Sequence, residues 1–108
     1  GDVGSVVLRD RKHLAEEGMI VAVIGVNSLS GEIYGVDITS RGFMYSKDES
    51  EKLLAEAKEV TKHALESIDL KGVGDWTGVK NQVKKELKNL FFKRTRRNPM
   101  IIPVIMEN

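Results

Sequence analysis

Residues 19–26 read MIVAVIGV, eight positions without a polar side chain. The run is too short for a membrane span, which needs about 18 apolar residues or more. It is also short for a buried helix, and its Val and Ile content favours a strand. Apolar residues fall on both faces, so this strand is expected to be central in its sheet. The rest of the chain must therefore supply flanking strands and a covering layer. At 108 residues it forms one domain that buries roughly two thirds of its unfolded surface, with no need of disulfides or metal. There is no cysteine, so thiol chemistry, cysteine zinc sites and disulfides are excluded. With 41% hydrophobic residues, 31% charged residues and two prolines, the chain is neither collagenous, low-complexity nor wholly disordered.

The cluster Asn27-Ser28-Leu29-Ser30-Gly31 is a turn, and EIYGVDI over 32–38 alternates as a second strand. Tyr34, Val36 and Ile38 are expected on one side of it, and Gly35 and Asp37 on the other. Ser46 followed by Glu49 reads as a capping box opening a helix that runs to about Ile68. Leu53, Leu54, Ala57, Val60, Thr61, Ala64, Leu65 and Ile68 form its buried stripe. After the linker Gly72-Val73-Gly74, Asp75 is placed to cap a second helix with the stripe Trp76, Val79, Val83, Leu87, Leu90 and Phe91. Asn98-Pro99 ends that helix. MIIPVIM over 100–106 is a third strand, and Pro103 marks it as an edge strand or a bulged one. The expected fold is α+β: β-β-α-α-β, sheet order 2-1-3, with both long helices on one face. A short helix over Arg9–Glu17 precedes it. Residues 1–18 are expected to be a connecting segment and residues 19–108 the domain. The opening GDVGSVVLRDRK lacks the features of an export signal, so a cytoplasmic location is expected.

The net charge of +1 conceals an asymmetry. Residues 1–70 hold 8 Lys/Arg against 13 Asp/Glu, and residues 71–108 hold 9 against 3. Lys80, Lys84 and Lys88 recur along one side of the second helix, Lys85 flanks them, and Arg94, Arg96 and Arg97 follow Lys93. Such a stripe neutralises phosphates in RNA; it also occurs as an ordinary solvated face. Phe92 is out of phase with the buried stripe. It is available to stack on a base, to fill a subunit contact, or to pack under the N-terminal segment.

Enzyme motifs are missing. His13 and His63 form no H-x-H or H-E-x-x-H arrangement. Asp37 has no obvious carboxylate partner, and a structural pair with Arg41 or an Asp turn bond is its expected role. No G-x-S-x-G elbow or phosphate-binding glycine loop is present.

Three stretches carry a resemblance. GDVGSVVLRDRKHLAEEGMIVAVIGV resembles the passage entering the C-terminal domain of ribonuclease J. DITSRGFMY, Asp37 to Tyr45, resembles that family's D-x-x-S-R-G-F segment and draws attention to Asp37, Arg41, Gly42 and Phe43. TRRNPMIIPVIMEN, with Pro99 and Pro103, resembles its basic–Pro-Met-Ile-x-Pro-Val ending. The resemblance implies part of a longer metallo-β-lactamase/β-CASP ribonuclease that degrades RNA 5′→3′ and also cuts it internally, in mRNA turnover and ribosomal RNA maturation. It implies zinc in an upstream catalytic domain and no cofactor, metal ligand or catalytic residue among these residues. It further implies a small three-stranded, two-helix domain associated with assembly and full activity. The expected partners are RNA, through the parent enzyme, and a second copy or a paralogous subunit; no membrane partner is expected. The competing reading is a stand-alone RNA-binding module with KH-like element content, but the linker lacks the G-x-x-G that fold requires. An autonomous hydrolase would need a nucleophile–base or metal cluster, and the residues offer none.

Overall fold

The computed structural model describes residues 17–43 and 46–108. The helix expected over Arg9–Glu17 falls almost wholly outside them, as do Met44 and Tyr45. Five elements follow in order: β1 (Met19–Val26), β2 (Ile33–Arg41), α1 (Lys47–Glu66), α2 (Thr77–Thr95) and β3 (Met100–Glu107). The sheet order is β2-β1-β3, with β1 antiparallel to β2 and parallel to β3. The expected topology is therefore the observed one. The two helices form the crossover that a parallel β1–β3 pair requires.

The core lies between one sheet face and the two helices. Ile20, Ala22, Ile24 and Val26 of β1 are completely buried. They pack with Val36, Ile38 and Ile101 from the flanking strands and with Leu53, Ala57, Leu65, Val83, Leu87 and Phe91 from the helices. Each such large aliphatic or aromatic side chain contributes about 1.5–3 kcal/mol on leaving water. Thr61 is the buried polar residue among them, and its hydroxyl donates to the Ala57 carbonyl at 2.8 Å.

The helix ends differ from expectation in detail. Ser46 is the N-cap of α1, and its hydroxyl accepts the Glu49 N–H at 3.3 Å, the serine half of the expected capping box. The helix stops at Glu66, two residues early. Asp75 is not the cap of α2. Trp76 holds that position without a side-chain hydrogen bond, while the Asp75 carboxylate accepts the Thr77 N–H at 3.0 Å. At the other end, Arg96 closes α2 with φ 59°, its N–H bonded to the Phe92 carbonyl at 2.8 Å.

β2 runs three residues beyond expectation, and Tyr34 is not on the side of Val36 and Ile38. The register is regular from Met19↔Arg41 to Gly25↔Gly35 and then shifts to Val26↔Ile33. That shift is a bulge: an extra residue turns Tyr34 onto the other sheet face, where its ring covers Gly25. The Tyr34 hydroxyl reaches across β1 to the Met106 carbonyl at 3.4 Å.

Met100 N–H bonds Gly18 carbonyl and Asn108 N–H bonds Val26 carbonyl, both at 2.9 Å. Strand alternation then directs the amides of 100, 102, 104, 106 and 108 at β1. The missing N–H of Pro103 faces the outer edge, where no ladder bond is lost. β3 is an edge strand, and its register with β1 is unbroken.

Candidate functional site

Helix α2 carries six basic side chains and one acidic one, Glu86, whereas α1 carries four basic and six acidic. Its buried residues are Val79, Val83, Leu87, Leu90 and Phe91. At about 100° per residue, Phe92 points directly away from that stripe, with Lys85 and Lys88 on either side of the same outward line. Phe92 is 42% exposed. Arg96, one turn further on, holds its guanidinium carbon 5.3 Å from the centre of the Phe92 ring. Lys84 is exposed beside this line, and Lys80 is half-buried near the start of the helix.

The basic cluster that reads as one group in sequence divides into three roles. Arg94 is committed to Glu56 of α1 through two hydrogen bonds, Nε to Oε1 at 2.9 Å and Nη2 to Oε2 at 2.7 Å. These bonds hold the Glu56 carboxyl below its ordinary value against the opposing effect of burial, and the charges of Arg94 and Lys93 act in the same direction as the bonds. Arg97 lies over Phe43, 4.9 Å from the ring centre. Lys85, Lys88 and Arg96 remain on the outer surface around Phe92.

The D-x-x-S-R-G-F residues divide between the sheet surface and the core. Asp37 and Arg41 both point to the sheet face opposite the helices, paired with Val23 and Met19. Four residues of strand set them about 13 Å apart, and among the described residues no ion pair joins them. The expected Asp–Arg pair does not form because β2 continues straight through Arg41. Gly42 has φ 69°, and Phe43 then turns inward to meet Phe91 edge to face, centroids 5.5 Å apart. Pro99 is fully buried, where it leads α2 into β3.

Among the described residues, no three His, Asp or Glu side chains converge on a point that would hold a metal ion. His63 is exposed, with Nδ1 3.5 Å from Glu66, and His13 lies outside the described residues. Among them, too, no helix is long and apolar enough to cross a membrane.

A second surface escaped the sequence reading. The sheet face away from the helices presents Val21, Val23, Ile102, Val104 and Met106. Val104 is 37% exposed and Met106 55%. The signal was present in the two apolar runs, both of which have apolar residues on both faces. Such a pattern is read as burial on both sides, yet the described helices cover only one.

A family model described as the ribonuclease J C-terminal domain matches residues 6–108. The chain is 45% identical over 109 residues to a protein named Ribonuclease J 2 from Staphylococcus epidermidis, and 43% identical over 108 residues to its namesake from Staphylococcus aureus. Each match takes in 99% of this chain and 19% of the relative, so the chain spans about a fifth of the length of these curated relatives.

Proposed function

The chain belongs to the ribonuclease J C-terminal domain family, and from that membership we propose that it is the non-catalytic assembly domain of a ribonuclease J-type enzyme. Residues 1–18 act as the connecting segment and 19–108 as the domain. The parent enzyme is a zinc-dependent hydrolase of the metallo-β-lactamase/β-CASP type, located in the cytoplasm, that degrades RNA as an exonuclease and endonuclease in mRNA decay and ribosomal RNA maturation. Its zinc and catalytic side chains lie upstream of these residues.

The observation that carries the assembly role is the apolar sheet face that, among the described residues, the two helices leave uncovered. Val21, Val23, Ile102, Val104 and Met106 form a continuous apolar strip, with the exposed Tyr34 ring at its margin. A contiguous apolar face on a small domain is a contact surface. Its occupant is a second copy of this domain or a paralogous subunit, meeting it face to face as stacked sheets do. A second role, helping to engage RNA, rests on the basic outer face of α2.

Light scattering of the 108-residue chain over a range of concentrations tests assembly. The wild type is expected to gain mass with concentration, and Val104→Lys with Met106→Lys to stay monomeric while folding normally. A wild-type chain that is monomeric throughout, in a parent enzyme whose oligomeric state does not change when the domain is deleted, contradicts the reading.

A further inference from the structure

We infer that the outer face of α2 is a stacking platform for single-stranded RNA, in which Phe92 receives a base while Lys85, Lys88 and Arg96 hold the neighbouring phosphates. This inference deepens the RNA-engaging role proposed above and rests on it.

Three observations converge on this face. Phe92 is a large aromatic side chain placed opposite the buried stripe of its own helix, where it stays 42% exposed. The position closing the helix is taken by Arg96 at φ 59°, the one non-glycine residue with positive φ among the described residues. Glycine commonly occupies that conformation because a side chain there costs about 1–2 kcal/mol. The arginine puts its guanidinium over one side of the Phe92 ring. Finally, the face is electrically one-sided: Lys85 and Lys88 flank the ring, and Glu86, the helix's single carboxylate, accepts a hydrogen bond from Gln82 at 3.2 Å.

The combination of aromatic face, guanidinium and lysines favours a nucleic acid over an acidic protein. A carboxylate-bearing surface would satisfy the lysines but leave the ring without a partner. A single-stranded RNA offers both a flat base and a phosphate at each step. Every base has a π face, so such contacts bind with little sequence preference. The same geometry sets aside two of the candidate contacts. Arg94 is bound to Glu56, and Arg97 lies over Phe43, so neither is needed on the platform.

The test is fluorescence anisotropy of a labelled oligouridine against the 108-residue chain at low and near-physiological salt. Three phosphate contacts predict a log–log salt slope of about −2. Phe92→Leu keeps an apolar residue at an exposed position and so keeps the fold. It is expected to weaken binding about 5- to 10-fold, as loss of one stacked base does, without altering the salt slope. Lys85→Glu with Lys88→Glu is expected to flatten the slope. Arg94→Ala is the control that leaves affinity near wild type. An abasic strand of the same charge is expected to bind wild type as weakly as the oligouridine binds Phe92→Leu. The inference is overturned if no binding occurs at low salt, if Phe92→Leu binds like wild type, or if polyglutamate competes as well as RNA. A chain that associates but binds no RNA sinks this inference together with the RNA-engaging role and leaves the assembly reading standing; salt-dependent RNA binding that is indifferent to Phe92→Leu sinks the stacking platform alone; and a chain that binds RNA through Phe92 but never associates sinks only the assembly reading.

Discussion

The Glu56–Arg94 pair shows what a single contact decides. The two residues are 38 apart in sequence and join α1 to the end of α2. Both side chains are more than a third exposed, so solvent screens the pair and its contribution is modest. Its pH dependence has a definite sign. The folded-state pKa of Glu56 lies below the ordinary 4.5, so the pair stabilises the fold above that value and the gain disappears as pH falls through the lowered one. Asp75, lowered by its bonds from Thr77, acts in the same direction. Glu56→Gln is expected to be less stable than wild type at neutral pH and to converge with it under acid, as followed by urea denaturation across pH. Parallel curves would mean that the pair contributes nothing. None of this was visible in the sequence, where Arg94, Arg96 and Arg97 are three equivalent cations. Local spacing shows which helix they end, but not that Glu56, Phe92 and Phe43 each claim one of them. Gly18 is a similar case. Its φ of 84° favours glycine, and its backbone passes so close to Gly42 and Phe43 that an added Cβ would lie 2.8 Å from the Phe43 nitrogen.

Elements were more legible than residues because their signals are periodic and local. The stripes of α1 and α2, the strand order and the edge position of β3 all follow from spacing and proline chemistry. The bulge at Tyr34 does not, because a register shift depends on the partner strand. Pro103 joins the two levels. Its ring occupies the outer edge of β3, where an ordinary residue would present a free N–H to another strand. Pro103→Val is therefore expected to fold normally and to associate more strongly with rising concentration, a gain measurable by sedimentation. If the valine instead raised thermal stability and left association unchanged, the proline would be displacing an inward ladder bond, and the edge assignment would be wrong.

At the scale of the whole molecule the two candidate surfaces lie back to back. The apolar sheet strip faces one way, the helices lie behind it, and Phe92 points away from the core stripe on the far side. Copies meeting through the sheet would therefore carry their basic helices outward, leaving two RNA platforms on one particle. Linked sites convert the second binding event into an intramolecular one, so affinity rises once a ligand can span both. A long oligouridine is accordingly expected to bind the wild-type chain more tightly than a short one by more than the increase in site number accounts for. Val104→Lys with Met106→Lys is expected to remove that length advantage and leave short-oligonucleotide affinity near wild type, despite adding positive charge on the opposite face. Phe92→Leu is expected to weaken both lengths. If the length advantage survived in a variant shown to be monomeric, the RNA would be following a longer path on one copy, and the two surfaces would not cooperate through assembly.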